Sequence, residues 1–169
     1  NDNPYREGLL ETPRRVVKAY EDFFSGYAYD PVEILQKTFE EVDGYDDIVL
    51  LKNMRFESHC EHHMVPIIGT AHIAYLPNRR VVGISKLARL LDIYAKRLQT
   101  QETMTAQIAN TINQVLKPSG VAVLLEADHQ CMTSRGVKKP GTTTVTSTLL
   151  GVFQAQIKME ERFYRMIRL

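Results

Sequence analysis

The chain has 169 residues, a size that suits one domain. Its 44% hydrophobic and 24% charged residues can build an ordinary buried core, and a formal net charge of +1 argues against a broad nucleic-acid or anionic-membrane surface. No apolar run reaches the ~18 residues of a membrane helix. The polar, acidic start lacks a secretory signal, and the two cysteines, Cys60 and Cys131, are expected as reduced thiols in the cytoplasm. The sequence does not open on Met, so a preceding segment is expected.

Thr12-Pro13 predicts a helix start, with Thr12 as N-cap and Pro13 at the first helical position. Val16, Val17, Tyr20, Phe23 and Phe24 recur at helical spacing, and Arg15 and Lys18 share the other face. Asp30-Pro31 predicts a second, shorter helix to about Phe39. Residues 1–45 therefore read as an N-terminal helical segment, and 46–169 as the main unit. Residues 48–51 and 54–58 look extended. Residues 67–76 form a strong strand candidate bounded by Pro66 and Pro77, and 81–84 continue extended after a turn at Pro77-Asn78. Ser85 then reads as an N-cap, followed by a buried helical stripe of Leu87, Leu90, Leu91, Tyr94 and Leu98. A second helix, about 103–116, buries Met104, Ile108, Ile112 and Val115, and Pro118-Ser119-Gly120 ends it. Strands are predicted at 121–127 and 142–150, the latter rich in β-branched residues, and a terminal helix at about 154–167. Paired strands around two helices argue for an α+β fold of ββααββ order, with helices on one face of an antiparallel sheet. Little in the strand from Thr142 would cap an edge, which suggests edge pairing between subunits.

The chemistry concentrates in two places. His59-Cys60-Glu61-His62-His63 and Asp128-His129-Gln130-Cys131 hold four of the five histidines and both cysteines. Cys60 and His63 have Cys-x-x-His spacing, and thiolate with imidazole favours zinc. Cys131 is the natural third ligand. Three protein ligands leave a position for water, as a catalytic site requires, whereas a structural site wants four. His62 or His129 could supply that fourth ligand, but they suit proton transfer beside a catalytic metal better. A closed zinc site and a Cys60–Cys131 disulfide are the alternatives. His59 reads as a neighbour of the cluster, and His72 as an ordinary mid-strand histidine.

A second constellation is basic. Lys86 and Arg89 fall in the first turn of a predicted helix, where cations oppose the helix dipole. With Ser85 they make sense as an anion site, where phosphate would meet free N–H groups, a hydroxyl and two cations. Arg135 follows Cys131 by four residues, and Arg15 and Lys18 could add charge. Gln101-Glu102 sits in a short break, where the carboxylate either favours the next helix N-terminus or binds paired donors.

Together these segments resemble GTP cyclohydrolase I. The likeness rests on Ser-His-Cys-Glu-His-His from Ser58, Gly-Ile-Ser-Lys-Leu-Ala-Arg from Gly83, Gln101-Glu102 and His-Gln-Cys-Met-Thr-Ser-Arg-Gly from His129. Thr-Pro-Arg-Arg-Val-Val-Lys from Thr12 and Thr-Val-Thr-Ser-Thr from Thr144 also fit, so the resemblance runs nearly end to end. It implies zinc on Cys60, His63 and Cys131, with His62 and His129 moving protons. It implies triphosphate on Lys86, Arg89 and Arg135 with Arg15 and Lys18 assisting from a neighbouring subunit, and Ser85 near ribose and phosphates. Guanine would meet Glu102, with Gln101 beside it. It further implies the tunnelling fold over 46–169, a homodecamer of two pentamers with sites between subunits, and GTP as substrate. Products would be formate and 7,8-dihydroneopterin triphosphate, the first step of pterin and folate synthesis. Two rival readings are weaker. A structural zinc module predicts four ligands and a broad basic face. A purine deaminase predicts His-x-Glu with Pro-Cys-x-x-Cys, which the sequence lacks.

Overall fold

Runs of apolar and β-branched residues at period two build the long strands, and one central sheet collects them. A computed structural model of the chain describes residues 2–39 and 46–169. The elements in order are α1 (Glu7–Leu10), α2 (Thr12–Phe23), a 3-10 turn (Ser25–Ala28), α3 (Pro31–Leu35), β1 (Thr38–Phe39), β2 (Val49–Cys60) and β3 (Pro66–Leu76). Then come β4 (Val81–Val82), α4 (Ile84–Ala95), β5 (Leu98–Gln99), α5 (Gln101–Leu116), β6 (Gly120–His129), α6 (Gln130–Thr133), β7 (Thr143–Gly151), α7 (Val152–Ala155) and α8 (Ile157–Arg168). The architecture is mixed α+β. The main sheet has the order β5-β2-β3-β6-β7, antiparallel except for the short β2–β5 pairing, and β1 pairs with β4 apart from it.

Strand alternation sorts the sheet into two faces. Ala71, Ile73, Tyr75, Val121, Val123 and Leu125 point to α4 and α5, where Leu87, Leu90, Leu91, Met104, Ile108 and Ile112 close the main core. Leu35 of α3 is fully buried in the same cluster. On the other face Ala74, Ala122 and Leu124 meet Phe153 and Phe163 of the C-terminal helices. The two central helices, α4 and α5, thus share one face as expected, and the C-terminal helices cover the other. The reason is the apolar stripe of α8, which needs a partner that α4 and α5 have already taken. No helix among the described residues is long and apolar enough to cross a membrane.

Several boundaries moved. Thr12 opens α2 rather than capping it; Glu11 holds the cap position without a side-chain bond, and Thr12 Oγ1 donates to Gly8 O. Asp30 does cap α3, accepting from Val32 N–H at 2.8 Å, but that helix ends at Leu35 because the chain turns out to pair β1 with β4. Residues 49–51 and 54–58 belong to one strand, β2, which leaves Ile48 just outside and is interrupted by a bulge at which Asn53 takes φ 59°. The extended stretch after Pro77 stops at Val82. Gly83 occupies the N-cap of α4, so Ser85 lies inside the first turn. Leu98 leaves the helical stripe and pairs with His59 in β5, since Arg97 ties the chain back to the carbonyls of Gly26 and Tyr29. Gln101 and Glu102 lie in no break: they open α5, capped by Thr100. The terminal helix splits at Gln156, whose extended backbone separates α7 from α8. The segment boundary expected after residue 45 adjoins residues 40–45, outside the described residues.

His72 is buried on the α8 side of the sheet and accepts the bulge N–H of Asn53 through Nδ1 at 3.4 Å. Burial holds its pKa below the ordinary 6.5; Glu126 pulls it up and Lys52 pushes it further down. The folded state thus prefers the neutral ring, while the unfolded chain takes up the proton first. That contribution is present above the unfolded value and is lost as pH falls through the folded one. The urea midpoint is expected to drop on acidification below about pH 6.5, and His72→Gln to drop less steeply. Equal slopes for the two proteins would dismiss His72 as a source.

Candidate metal and catalytic site

Sheet register brings the two chemistry-bearing segments together. β3 lies between β2 and β6, pairing Pro66 with His59 and Ile67 with His129. The C-terminal ends of β2 and β6 therefore flank the start of β3. After β2 the chain turns tightly: Cys60 N–H donates to Val65 O at 2.9 Å, Met64 N–H to Cys60 O at 2.8 Å, and Met64 takes φ 52°. This turn presents Cys60, His62 and His63. After β6, the one-turn helix α6 presents Cys131.

Ligand atoms of Cys60, His63 and Cys131 all lie within 4.8 Å of one another. Among the described residues this is the one group of three or more such ligands, and neither His62 nor His129 joins it. Both cysteines are free thiols. Cys60 is buried, Cys131 half-buried and His63 exposed, so the group opens to solvent on one side. Cys60 Sγ stands 3.8 Å from Nδ1 of His63 and 3.8 Å from Nδ1 of His62. Arg135 Nη1 donates to His63 Nε2 at 3.1 Å, leaving Nδ1 turned to the thiol.

Burial pushes the Cys131 thiol up, and the neighbouring Cys60 adds to this; Arg135 opposes it weakly. Two thiolates this close would repel one another unless a cation sat between them, and a neutral imidazole nitrogen beside them offers a further lone pair to such a cation. The donor set therefore fits a thiophilic divalent ion.

The group lines a cleft of about 240 Å³, shared with His62, Gln99, Gln101, Glu102, His129 and Thr144. Glu102 is exposed in the first turn of α5. His129 is half-buried. Burial lowers its pKa below 6.5, while the carboxylates of Glu102 and Asp128 pull it upward. His59 points away from the cleft, as alternation along β2 requires, with its ring 4.5 Å from Phe23 and 5.5 Å from Phe24.

Gln101 borders the cleft beside Glu102. Its side chain is fully buried and spent inside the fold, with Nε2 on Leu125 O, Thr144 O and Thr146 Oγ1, and Oε1 on His129. Thr105 and Thr146 complete this network; Thr146 lies within the Thr-Val-Thr-Ser-Thr likeness, which assigns it no role, and nothing in the sequence singles out Thr105. The i,i+4 spacing of Gln101 and Thr105 hinted at one helix face, but only the tertiary structure shows that the face meets β7. Lys86 and Arg89 are absent from the cleft lining. Lys86 borders a separate cavity with Asp30, Glu33 and Lys37, and Arg89 one with Tyr29, Ile34 and Asp92. Arg15, Lys18 and Ser85 are exposed and do not line the cleft either.

Fold and site together define a mixed α+β protein with a three-ligand Cys-His-Cys cleft at the ends of two strands. The family model for GTP cyclohydrolase I matches residues 1–168. The chain is similar to the protein named GTP cyclohydrolase 1 of Maricaulis maris (strain MCS10), 58% identical over 98% of this chain and 81% of the relative. It is likewise similar to that of Brucella suis (strain ATCC 23445 / NCTC 10510), 59% identical over 99% of this chain and 78% of the relative. A solved structure, an archaeosine synthase QueF-Like in the apo form, shares the fold at a TM-score of 0.52 and 19% identity, covering 62% of this chain and 93% of that one. The chain belongs to the GTP cyclohydrolase I family and is an enzyme of that family.

Proposed function

We propose that the chain converts GTP to formate and 7,8-dihydroneopterin triphosphate in a zinc-dependent reaction. The observation that carries this is the meeting of Cys60, His63 and Cys131 in one cleft with His62, Glu102 and His129. Zinc on the first three residues would supply Lewis acidity, making a water nucleophilic near neutral pH.

The chain's own groups do the rest. The Glu102 carboxylate offers two oxygens to the N1–H and exocyclic amine of guanine, which orients C8 toward the cluster. His62 and His129 are the proton-transfer pair. Protonation at N7 by one of them makes C8 electrophilic; water adds there, the imidazole ring opens to a formamide, and a second hydrolysis at the same carbon releases formate. Opening of the ribose, an Amadori-type rearrangement and ring closure complete the pterin by further proton shuttling, with Ser85 near the ribose. In a reducing cytoplasm both thiols stay available as ligands.

One chain does not enclose this substrate. A drug-sized ligand occupies a pocket of about 300–1,000 Å³, and this cleft measures about 240 Å³ with only Arg135 near it among the proposed phosphate cations. β5 covers β2 only at His59 and Cys60, and the outer edge of β7 has no partner strand among the described residues. Two long open edges on one sheet favour continuation into further copies. The proposed assembly is the tunnelling-fold homodecamer of two pentamers. Neighbours would bring Lys86, Arg89, Arg15 and Lys18 to the triphosphate, and residues 1–45 would act as a helical segment appended to a catalytic unit of 46–169.

Incubation with GTP and Zn²⁺ is expected to yield formate and pterin fluorescence. His129→Ala is expected to lower both by about 10²–10⁴-fold, the usual contribution of a positioned proton donor. A His129→Ala enzyme that releases formate at the full rate would remove this residue from the first half of the reaction.

A further inference from the structure

We infer that Gln101 is a positioning residue: it holds the His129 imidazole as the Nε2–H tautomer and leaves Nδ1 as the nitrogen that exchanges protons with substrate. The inference rests on the reading of His129 as a proton-transfer group.

The direction of every bond in the network follows from what its partners can do. Leu125 O and Thr144 O are carbonyls and only accept. The amide nitrogen of Gln101 must therefore face them, at 3.0 and 2.9 Å, and with two protons for three acceptors it shares one of them with Thr146 Oγ1 at 3.1 Å. The amide oxygen is then the atom facing His129 Nε2, at 2.7 Å. An amide oxygen only accepts, so Nε2 carries the hydrogen. The Gln101 side chain cannot flip to offer the opposite pattern without setting its N–H groups against His129 and its oxygen against two carbonyls.

The support continues outward. Thr105 Oγ1 donates to Gln101 O at 2.6 Å, so the 2.7 Å contact between Thr105 and Thr146 runs from the Thr146 hydroxyl. Gln101 is thus pinned through its side chain by β6 and β7 and through its backbone by α5. It is 0% exposed, and its side-chain polar atoms are taken up inside the fold, so it acts through His129. Such outer partners fix the tautomer and ring orientation of working histidines. Among the described residues Nδ1 of His129 has no protein partner, which leaves it for the cleft.

The test compares the metal-loaded wild type with Gln101→Met and Gln101→Glu. Met keeps the volume and burial but offers the ring no oxygen. Glu restores an oxygen for His129 while losing the amide donors to Leu125 and Thr144, so a merely structural role would make Glu no better than Met. Gln101→Met is expected to lower kcat about 10–100-fold with the KM for GTP within about threefold. Gln101→Glu is expected to recover part of that loss. Nitrogen-15 spectra of the histidine rings, recorded where they are neutral, are expected to show only the Nε2–H form of His129 in the wild type and a mixture in Gln101→Met. An Nδ1–H tautomer in the wild type overturns the inference without reference to activity. So does an unchanged kcat in Gln101→Met, a lost kcat with the tautomer intact, or a Glu variant no better than Met. If His129→Ala keeps full activity, the catalytic reading fails, and the spectra still decide whether Gln101 sets the tautomer.

Discussion

Cys131→Ser is expected to strip the metal and to lower GTP turnover by about 10³-fold or more, the several kcal/mol a Lewis acid contributes. Serine keeps the shape, but its hydroxyl does not ionise near neutral pH, and the soft thiolate is what selects zinc. Two ligands would remain, one of them the exposed His63, already engaged by Arg135. The fold should persist, because Cys131 only packs against the edge of the main core from a single helical turn. Metal analysis alongside the turnover assay checks both halves. A variant that keeps its zinc and its rate would show that His62 or His129 can complete the ligand set, and the three-ligand reading would be lost.

Phe163→Ala is expected to cost about 3–5 kcal/mol of stability, the range for truncating a buried phenylalanine. Phe163 is fully buried and is the one buried residue of α8. Its ring meets Phe153 edge-on at 6.0 Å and Tyr164 at 5.4 Å, over a floor made partly of Ala74 and Ala122. Alanine side chains cannot swell into the void, so the site collapses poorly. Urea denaturation measures the loss, and the exposed Arg165→Ala on the same helix should stay within about 0.5 kcal/mol. A loss below about 1 kcal/mol would mean that α8 contributes little to holding that face. The metal cluster lies elsewhere on the sheet, so zinc binding should survive the substitution.

Long elements were legible because their periodicity is an average over many residues. β3, α5, β6 and β7 fall within one or two residues of expectation, since each carries a sustained apolar or β-branched pattern. Short elements were not. The two-residue strands β1, β4 and β5 have no periodicity of their own and exist only through their partners. Leu98 shows the cost of reading period alone: it continues the α4 stripe in sequence, yet Arg97 binds two carbonyls of the N-terminal segment and turns Leu98 onto β2. Caps misled in the same way, because Thr12 and Ser85 are good cap residues one or two positions inside their helices.

For the site, the residue types and spacing of Cys60, His63 and Cys131 pointed to a candidate metal site, since few other purposes gather thiols and imidazoles so tightly. That Cys60 and Cys131 would meet could not be read from spacing; it needed β3 to lie between β2 and β6. Gln101 is the sharper case. Its place beside Glu102 suggested a shared ligand, yet one helical position turns a side chain by about 100°, which sends Glu102 to solvent and Gln101 into the fold. Local chemistry along the chain therefore determined what kind of groups this protein works with. Only packing decided which of them face the cleft and which hold the others, because burial and hydrogen-bond direction depend on neighbours far away in sequence.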